Sequence, residues 1–454
     1  MELDALLLSR IQFALTVGFH FLFPPLSIGL AWLLVFIEWN GWKRDDPAYQ
    51  RAGVFFGRVL GLTFAVGVAT GIVMEFQFGT NWAEYSRFVG DIFGAPLAAE
   101  AVLAFFLEST FLGLYLFGRN RISKGFHWFS ILMVAVGSAL SAFWIIVANS
   151  WQQTPAGYII QNGRAELTNF YEAVFNPSTL IRFSHVMVAS FIAGAFLMAG
   201  ISAWLLLKKK HTEVARRSLK AAVIFGFIFS VMSLLPTGHE HTLQVYRTQP
   251  EKFAAFEGIV EGSENMPLIV LGVPSEEPRQ VNSLIELPGL ISLLLGGSTD
   301  TYVKGLEDYE AEGHPTPPFA ITFLSYHTMV ILGMIFIGIT ALGVLLLLLK
   351  RLDTSRWYLA VLPWLIPLPL IACEVGWIVA EVGRQPWVVY RMLRTDEAYS
   401  FNVSGAEVLS SIIMFSLIYL LLGIIYVFLL VRKVKAGPDP LPVATKGEDA
   451  KEVR

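Results

Sequence analysis

The chain has 454 residues, of which 55% are hydrophobic and only 15% are charged, and its formal net charge is −3. Soluble globular proteins carry about 25% charged and about 45–50% apolar residues, so this composition excludes a large soluble domain and indicates an integral membrane protein. The slightly negative net charge leaves no basic face for nucleic acid, and we expect none as a partner.

Nine apolar stretches follow one another, each near the roughly 20 residues that a helix needs to cross a bilayer. They cover residues 13–37, 53–74, 95–117, 127–149, 180–206, 218–236, 319–349, 357–382 and 406–431. Of the 33 lysines and arginines, 21 fall in alternate connections on one side. The positive-inside rule places that side in the cytoplasm and the N-terminus outside. The sequence predicts an all-α integral membrane protein, a bundle of nine transmembrane helices.

The connections divide the chain into four parts. Residues 1–236 hold six spans, 237–318 form a long outer loop, 319–431 hold three spans, and 432–454 form a polar, disordered cytoplasmic tail. The outer loop contains 13 acidic and 4 basic residues, and apolar residues recur through it. Loops of this length are usually functional or disordered, and the recurring apolar residues favour a folded binding loop. The acidic N-terminus does not resemble a signal peptide, so we expect the mature chain to begin at Met1.

Ionisable side chains inside apolar spans are costly and therefore mark candidate sites. The spans contain a small set of such residues together with one methionine: His20, Glu100, Glu108, His185, His327, Met329, Glu374 and Glu381. The direction of each span places His20, Glu100, His185 and Glu381 in the outer third of the bilayer. Helical spacing puts Glu100 and Glu108 near one face, whereas His327 and Met329 point in nearly opposite directions.

The residue types favour haem over a non-haem metal, which needs three or four close ligands. The 35 phenylalanines and 12 tryptophans could enclose a large flat apolar group. The only cysteine, Cys373, cannot form a C-x-x-C-H attachment site, so any haem is held non-covalently. The alternative is a proton-coupled membrane transporter that uses the same carboxylates as an ion pathway.

Several strings resemble subunit I of the cytochrome bd-type quinol oxidases. They run in order from the first span to the eighth: FHFLFPPLSIG, FGAPLAAEAVLAFFLESTFLGLYLFG, PSTLIRFSHVMVASF, TQPEKFAAFEG, SYHTMVILG and WIVAEVGRQPW. The GRQPW string, with a glutamate three residues before its arginine, is the most specific of them. The resemblance implies a nine-span terminal oxidase subunit with a quinol-binding outer loop.

The resemblance also assigns residues to roles. His185 and Met329 match the axial ligands of a low-spin haem b, and His20 and Glu381 match those of two high-spin haems, one haem b and one haem d. Glu100 matches a possible further haem ligand at the oxygen site, and Glu108 a position on the proton pathway. Lys252 and Glu257 match a pair associated with quinol oxidation. Support of the haem pocket is expected from Trp377, Arg384, Glu374 and His327.

Two features depart from the common pattern of this family. His327 stands where many members carry arginine, and this histidine resembles the cyanide-insensitive subgroup. It leaves His185/His327 open as a second axial pair. The outer loop lacks a long insertion after Glu257 and so resembles the short-loop form. In the cyanide-insensitive subgroup, haem d can be replaced by a third haem b.

These observations predict a bacterial inner-membrane enzyme. It would oxidise membrane quinol at the outer face and reduce O₂ to water with cytoplasmic protons, generating a proton-motive force without pumping. The resemblance implies a second membrane subunit (subunit II) and allows a small single-span subunit. A dihaem quinol-oxidising anchor, which passes electrons to a separate enzyme, is a further alternative.

Overall fold

The computed structural model of the chain describes residues 4–439, which form a bundle of long helices with short hairpins at its ends. Nine helical stretches within this range are long and apolar enough to cross a membrane: Ala5–Lys43, Pro47–Thr80, Ala83–Phe117, Lys124–Gln153, Phe170–Leu207, Thr212–Thr248, Phe319–Leu348, Arg356–Val382 and Gly405–Ala436. The predicted fold class and the nine spans are therefore confirmed. The last helix continues into the predicted tail, of which residues 440–454 lie outside the described residues.

The first half of the chain consists of α1 (Ala5–Phe21), α2 (Pro24–Lys43), α3 (Pro47–Thr80), α4 (Ala83–Ala99), a π-helical segment (Glu100–Phe105), α5 (Phe106–Phe117), α6 (Lys124–Gln153), β1 (Tyr158–Gln161), β2 (Arg164–Leu167), α7 (Phe170–Val174) and α8 (Thr179–Leu207). Strands β1 and β2 pair antiparallel, with Tyr158 opposite Leu167.

The second half consists of α9 (Thr212–Leu234), α10 (Thr237–Thr248), α11 (Pro250–Glu257), β3 (Leu268–Glu276), β4 (Arg279–Leu287), α12 (Leu290–Gly296), α13 (Leu306–Ala311), α14 (Phe319–Leu348), α15 (Arg356–Val361), a 3₁₀ turn (Leu362–Leu365), α16 (Leu368–Val382), β5 (Trp387–Val389), β6 (Leu393–Arg394), a 3₁₀ turn (Thr395–Glu397) and α17 (Gly405–Ala436). Strands β3 and β4 form an antiparallel hairpin, as do β5 and β6.

Two spans are interrupted at candidate site residues. The first span breaks after α1, and the chain resumes at Pro24, which is favourable at the start of a helix because it lacks an N–H group. His20 therefore lies in the last turn of a helix. The third span contains a π-helical segment that begins at Glu100. Such segments are rare in α-helices and are frequent at functional sites.

Helix α8 is the centre of the bundle. In the span that contains α8, 83% of the apolar window is buried inside the chain, compared with 11% in α17, which lies at the periphery. Gly29 of α2 and Gly194 of α8 are in backbone contact, so a side chain at either position would force the helices apart. The sequence around these glycines thus allows α2 to pack closely on the central helix.

The predicted outer loop is folded. Phe253 and Phe256 of α11 share a hydrophobic cluster with Ile291 and Leu306 from later parts of the loop. Phe319 of α14 and Val379 of α16 belong to the same cluster. Because these last two residues come from membrane-spanning helices, the cluster fixes α11 directly above the ends of α14 and α16.

Candidate functional site

His20 and His185 are oriented by the same kind of contact. The Nδ1 atom of His20 lies 3.0 Å from the Thr70 hydroxyl, and that of His185 lies 3.3 Å from the Thr237 hydroxyl. Each threonine also donates a hydrogen bond to a backbone carbonyl of its own chain segment. A hydroxyl has one proton to donate, so it accepts from Nδ1–H and leaves Nε2 with a lone pair for a metal.

Met329 and His327 leave α14 on different sides. The Met329 sulphur faces α16, where a Cβ added at Gly376 would lie 2.9 Å from Sδ. His327 is buried on the other side, with its ring nitrogens 3.0 Å and 2.8 Å from the carbonyl oxygens of Phe323 and Ile269. Both nitrogens of His327 therefore face backbone carbonyl oxygens, and a neutral ring donates to one of them. The Met329 sulphur lies against the helix that carries Glu374 and Glu381.

Glu381 is the centre of a buried polar cluster at the outer end of α16. Its carboxylate accepts hydrogen bonds from Asn149, at 3.0 Å, and from Gln153, at 3.5 Å, and forms an ion pair with Arg384. Asn149 in turn accepts a hydrogen bond from Arg182. Glu381 is thus paired with Arg384 and bonded by two side chains of α6, while Arg182 of α8 joins the cluster through Asn149.

Lys252 connects the outer loop to this cluster. Its ammonium group donates to the Gln153 side chain at 2.8 Å and to the Ala380 carbonyl at 2.9 Å. Burial lowers the pKa of Lys252 well below its usual value, and the neighbouring Arg182 and Arg384 lower it further, against the opposite effect of Glu381. This lysine of the outer loop is therefore next to the backbone of the predicted haem ligand.

Glu257 is buried at the end of α11, and one carboxyl oxygen, Oε2, has no hydrogen-bond partner. Burial raises the pKa of Glu257 to about 7, while a hydrogen bond with Tyr326 opposes the shift. Tyr326 also stacks on Phe256 with ring centroids 4.2 Å apart. An unpaired buried carboxyl oxygen is costly and is therefore a candidate acceptor for a ligand hydroxyl.

Glu251 fixes the other end of α11. Its buried carboxylate accepts hydrogen bonds from Tyr390 at 2.7 Å and from Arg391 at 2.6 Å, and it lies 2.9 Å from Nδ1 of His314. Burial raises the pKa of Glu251, but these bonds outweigh it and keep the pKa below its usual value. Glu251 therefore holds α11 against the hairpin that follows the GRQPW string.

Glu100 and Glu108 both face α6. Ser141 donates a hydrogen bond of 2.6 Å to Glu100, and a Cβ added at Gly137 would lie 3.0 Å from the Glu108 Cβ. Gly137 and Ser141 are one helical turn apart, so the two carboxyl groups follow one face of α6. Glu75 of α3 lies near enough to Glu100 for their charges to interact.

Glu374 and Trp377 face α1. A Cβ added at Gly18 would lie 3.5 Å from Oε2 of Glu374, and the Trp377 ring centroid is 6.4 Å from that of Phe13. The other carboxyl oxygen of Glu374 is buried without a partner. The residues of α16 thus face two different helices. Glu381 faces α6, and Glu374 and Trp377 face α1, which carries His20.

The residues present fit haem. His20 and His185 offer Nε2, and the three bonds to Glu381 leave one of its roughly four lone-pair positions. Arg182, Lys252 and Arg384 surround the single carboxylate of Glu381, and Nη1 of buried Arg384 has no partner. This excess of buried cations suits the anionic propionates of haem. Within residues 4–439, no three His, Cys, Asp or Glu side chains converge as they would at a non-haem metal site.

Several site residues were not predicted from the sequence. The uncharged residues of the site were not marked by the rule for ionisable residues inside spans: Thr70, Thr237, Asn149 and Gln153. Arg182 lies in an apolar span. The rule that ionisable residues inside spans mark candidate sites should therefore have selected it together with the glutamates. Helix α10 extends past the predicted end of the sixth span and carries His241, whose ring centroid is 5.4 Å from that of His185.

Known proteins resemble this chain over its full length. The family model described as cytochrome bd terminal oxidase subunit I matches residues 8–438. The cytochrome bd ubiquinol oxidase subunit 1 of Bacillus subtilis (strain 168) is 40% identical, over 98% of this chain and 97% of its own. The cytochrome bd-II ubiquinol oxidase subunit 1 of Escherichia coli (strain K12) is 35% identical, over 96% and 98% of the two chains.

A solved structure agrees with these matches. The bd oxidase from Geobacillus thermodenitrificans gives a TM-score of 0.88 at 31% identity, covering 96% of this chain and 100% of that chain. The sequence resemblance to this family is confirmed. The chain therefore belongs to the family of cytochrome bd terminal oxidase subunit I, and it is a multi-pass oxidoreductase subunit of the bacterial inner membrane.

Proposed function

We propose that this chain oxidises a membrane quinol at its outer face and reduces O₂ to water with protons from the cytoplasm. The observation that carries the proposal is the contact of Lys252 with the Ala380 carbonyl and with Gln153, which also bonds Glu381. A residue of the outer loop and a candidate haem ligand thereby share one hydrogen-bonded cluster. Electrons entering at the loop would have a short route into the membrane.

Glu257 and Lys252 would bind and deprotonate the quinol. The unpaired oxygen of Glu257 accepts a quinol hydroxyl, and its pKa near 7 suits a group that takes up a proton and releases it again. Lys252, buried on the same helix, would donate a hydrogen bond to the other quinol oxygen. Tyr326 and Phe256 supply an aromatic surface beside Glu257. Two of the relatives are named as ubiquinol oxidases, and the proposal for this chain specifies a membrane quinol only.

Haem would be held by the residues to which the family resemblance gives this role. His185 and Met329 would bind a low-spin haem b, His20 and Glu381 a high-spin haem b and a haem d or third haem b, and Glu100 is a possible further ligand. Both His327 nitrogens face backbone carbonyl oxygens, whereas the Met329 sulphur faces α16, and this favours Met329 over His327 as a ligand. The bound haems would supply one-electron transfer and a binding position for O₂. Arg384 and Arg182 would neutralise haem propionates.

Glu108 would deliver protons toward Glu100. The two carboxyl groups follow one face of α6, with Glu108 about 12 Å further toward the cytoplasmic side by helical rise. Protons from the quinol would leave at the outer face, and those consumed would come from the cytoplasm. This separation generates a proton-motive force without a pump. The partners of the chain would be subunit II, a small single-span subunit, the quinol and O₂.

The test uses the whole oxidase complex purified from membranes. A reduced-minus-oxidised spectrum should show haem, and quinol addition should drive O₂ consumption. Lys252→Gln and Glu257→Gln should each strongly slow quinol-driven O₂ consumption while dithionite still reduces the haems. Glu261→Gln, an exposed change in the same loop, is the control. Absence of haem would favour a transporter, and haem without O₂ consumption would favour an electron-transferring anchor.

A further inference from the structure

The outer loop contains a triangle of polar atoms that takes no part in the chemistry proposed above. Its corners are Nδ1 of His314, Oε1 of Glu251 and Nη2 of Arg391. Glu251 lies 2.9 Å from His314 and 2.6 Å from Arg391, and the remaining edge measures 2.9 Å. Glu251 belongs to α11, Arg391 to the turn between β5 and β6, and His314 to the segment between α13 and α14. The triangle therefore joins α11 to two other parts of the outer face.

The three edges of the triangle cannot all be hydrogen bonds at once. The guanidinium of Arg391 only donates, and the ionised carboxylate of Glu251 only accepts. The His314 nitrogen can therefore accept from Arg391 or donate to Glu251, and one nitrogen cannot do both. A neutral ring with a lone pair on Nδ1 bonds Arg391. A protonated ring carries a hydrogen on Nδ1, so it bonds Glu251 and repels Arg391.

The burial of the three side chains decides which of them moves. The side chains of His314 and Arg391 are 36% and 49% exposed, whereas that of Glu251 is 6% exposed. Histidine is the side chain that ordinarily changes charge between about pH 5 and 8. A repelled Arg391 can turn into the surrounding water, but Glu251 is held within α11. Protonation of His314 therefore weakens the bond between α11 and the β5–β6 hairpin.

The groups around the triangle keep their charge in this pH range. Burial raises the pKa of Tyr390, which donates to Glu251, and of Tyr309, which lies near Glu251 and Tyr246 of α10. Burial also raises the pKa of Glu251, but its hydrogen bonds outweigh this effect and keep it below its usual value. The acidic side chains of α13 and of the residue after it have partners of their own: Asp308 with Tyr302, Glu310 with Arg279, and Glu312 with Lys304.

We propose that His314 is a positioning residue that makes the attachment of α11 to the β5–β6 hairpin, and through it quinol binding, depend on the pH at the outer face. Neutral His314 and Glu251 hold Arg391 between them, and protonated His314 displaces it. The effect on quinol rests on the proposed function, because Lys252 directly follows Glu251 on α11. The proposed reaction releases protons at this face, so accumulated acid would weaken the binding of the next quinol.

Hydrogen–deuterium exchange of the whole oxidase complex tests the structural part of the proposal. After correction for the intrinsic rate, amides of residues 387–394 should exchange about threefold faster at about pH 5.5 than at about pH 8, the scale of a partly exposed ion pair. His314→Gln can accept from Arg391 but carries no charge, so it should exchange slowly at both pH values. His314→Lys is charged and only donates, so it should exchange fast at both. His239→Gln, an exposed change on α10, should keep the pH dependence of the parent.

The KM for quinol tests the consequence for binding. Variants are compared at the same pH, so the ionisation of Glu257 is common to them. We expect the KM of His314→Lys to be about threefold above that of His314→Gln, with equal kcat and haem content. The same pH-dependent exchange in the parent and in both His314 variants would overturn the inference. The expected exchange pattern with equal KM values would uphold the role of His314 in the triangle and contradict quinol binding at α11.

Discussion

His20 and His185 are held alike although they belong to different helices. In each case a threonine hydroxyl contacts Nδ1 and also bonds a backbone carbonyl, so the ring is presented with Nε2 free. A metal-binding histidine usually needs such an orienting partner on its second nitrogen. The repetition of one arrangement at both histidines supports a common role as ligands.

Removal of these hydroxyl groups should weaken haem binding. We expect Thr70→Val and Thr237→Val each to lower haem affinity about 10- to 100-fold, which is the usual effect of losing a partner of a metal ligand. The haem-to-protein ratio of the purified complex and the redox spectrum measure the effect. Thr63→Val is the matched control, because Thr63 is also buried on α3 but bonds Tyr426. Full haem content in both variants would contradict an orienting role.

Glu257 should give quinol oxidation a characteristic pH dependence. Its buried carboxyl group has a pKa raised to about 7, so it is protonated below this pH and accepts a proton above it. We expect kcat/KM for quinol to rise as the pH increases through about 7 and then to level off. Glu257→Gln should abolish this rise, whereas Glu261→Gln should preserve it. An unchanged pH profile in Glu257→Gln would assign the ionisation to another group.

Sequence patterns found the costly residues but not their neighbours. His185, Glu381 and Lys252 were predicted because a charge within a span, or a family string, marks them. Asn149 and Gln153 were not, because an uncharged polar residue on a helix has many possible roles and the sequence does not tell which helix it faces. Asn149 and Gln153, which bond Glu381, lie on α6, and Arg182, which bonds Asn149, lies on α8, so these contacts depend on tertiary packing.

At the level of elements, the π-helical segment explains how Glu100 and Glu108 reach the same neighbour. Eight residues of α-helix would turn the two side chains about 80° apart. A π-helix has more residues per turn, so each residue rotates the chain less and the angle between the carboxyl groups becomes smaller. Helical spacing predicted a shared face but not this irregularity, which has no distinctive sequence pattern.

The close contact of α5 with α6 can be tested at Gly137. A Cβ added there would lie 3.0 Å from the Glu108 Cβ, tighter than ordinary packing, so Gly137→Ala should displace Glu108. We expect slower O₂ consumption at saturating quinol, with little change in the KM for quinol. Gly113→Ala on α5 is the control, since nothing lies within 4 Å of the added atom. Equal rates in the two variants would show that this contact is not required.

The three contacts of Glu251 should set the position of α11, the helix proposed to bind quinol. Tyr390→Phe removes one of its three contacts, and Glu251→Gln replaces its charge-assisted bonds with weaker ones. We expect a graded rise in the KM for quinol, larger for Glu251→Gln, with haem content unchanged. Glu264→Gln, an exposed change in the same loop, serves as the control. A fall in haem content would instead indicate general loss of structure.

Across the whole molecule, two sets of polar groups contact α6 at different heights. One set comes from the folded outer loop and ends at Lys252, and the other follows α6 through Glu108 and Glu100. Composition and charge placement predicted both the membrane location and the outer loop. The contact of Lys252 with α6 and α16 depends on the docking of α11 above α16, which involves contacts far apart in sequence.

This arrangement predicts protons released on one side of the membrane and taken up from the other. In proteoliposomes containing the whole oxidase, quinol oxidation by O₂ should acidify the side that carries the outer loop by one proton for each electron. Glu108→Gln should slow O₂ consumption about a hundredfold, the usual contribution of a positioned proton donor, while haem content is retained. Glu213→Gln, exposed at the start of α9, should have no effect. Full activity of Glu108→Gln at saturating quinol would mean that the protons follow another route.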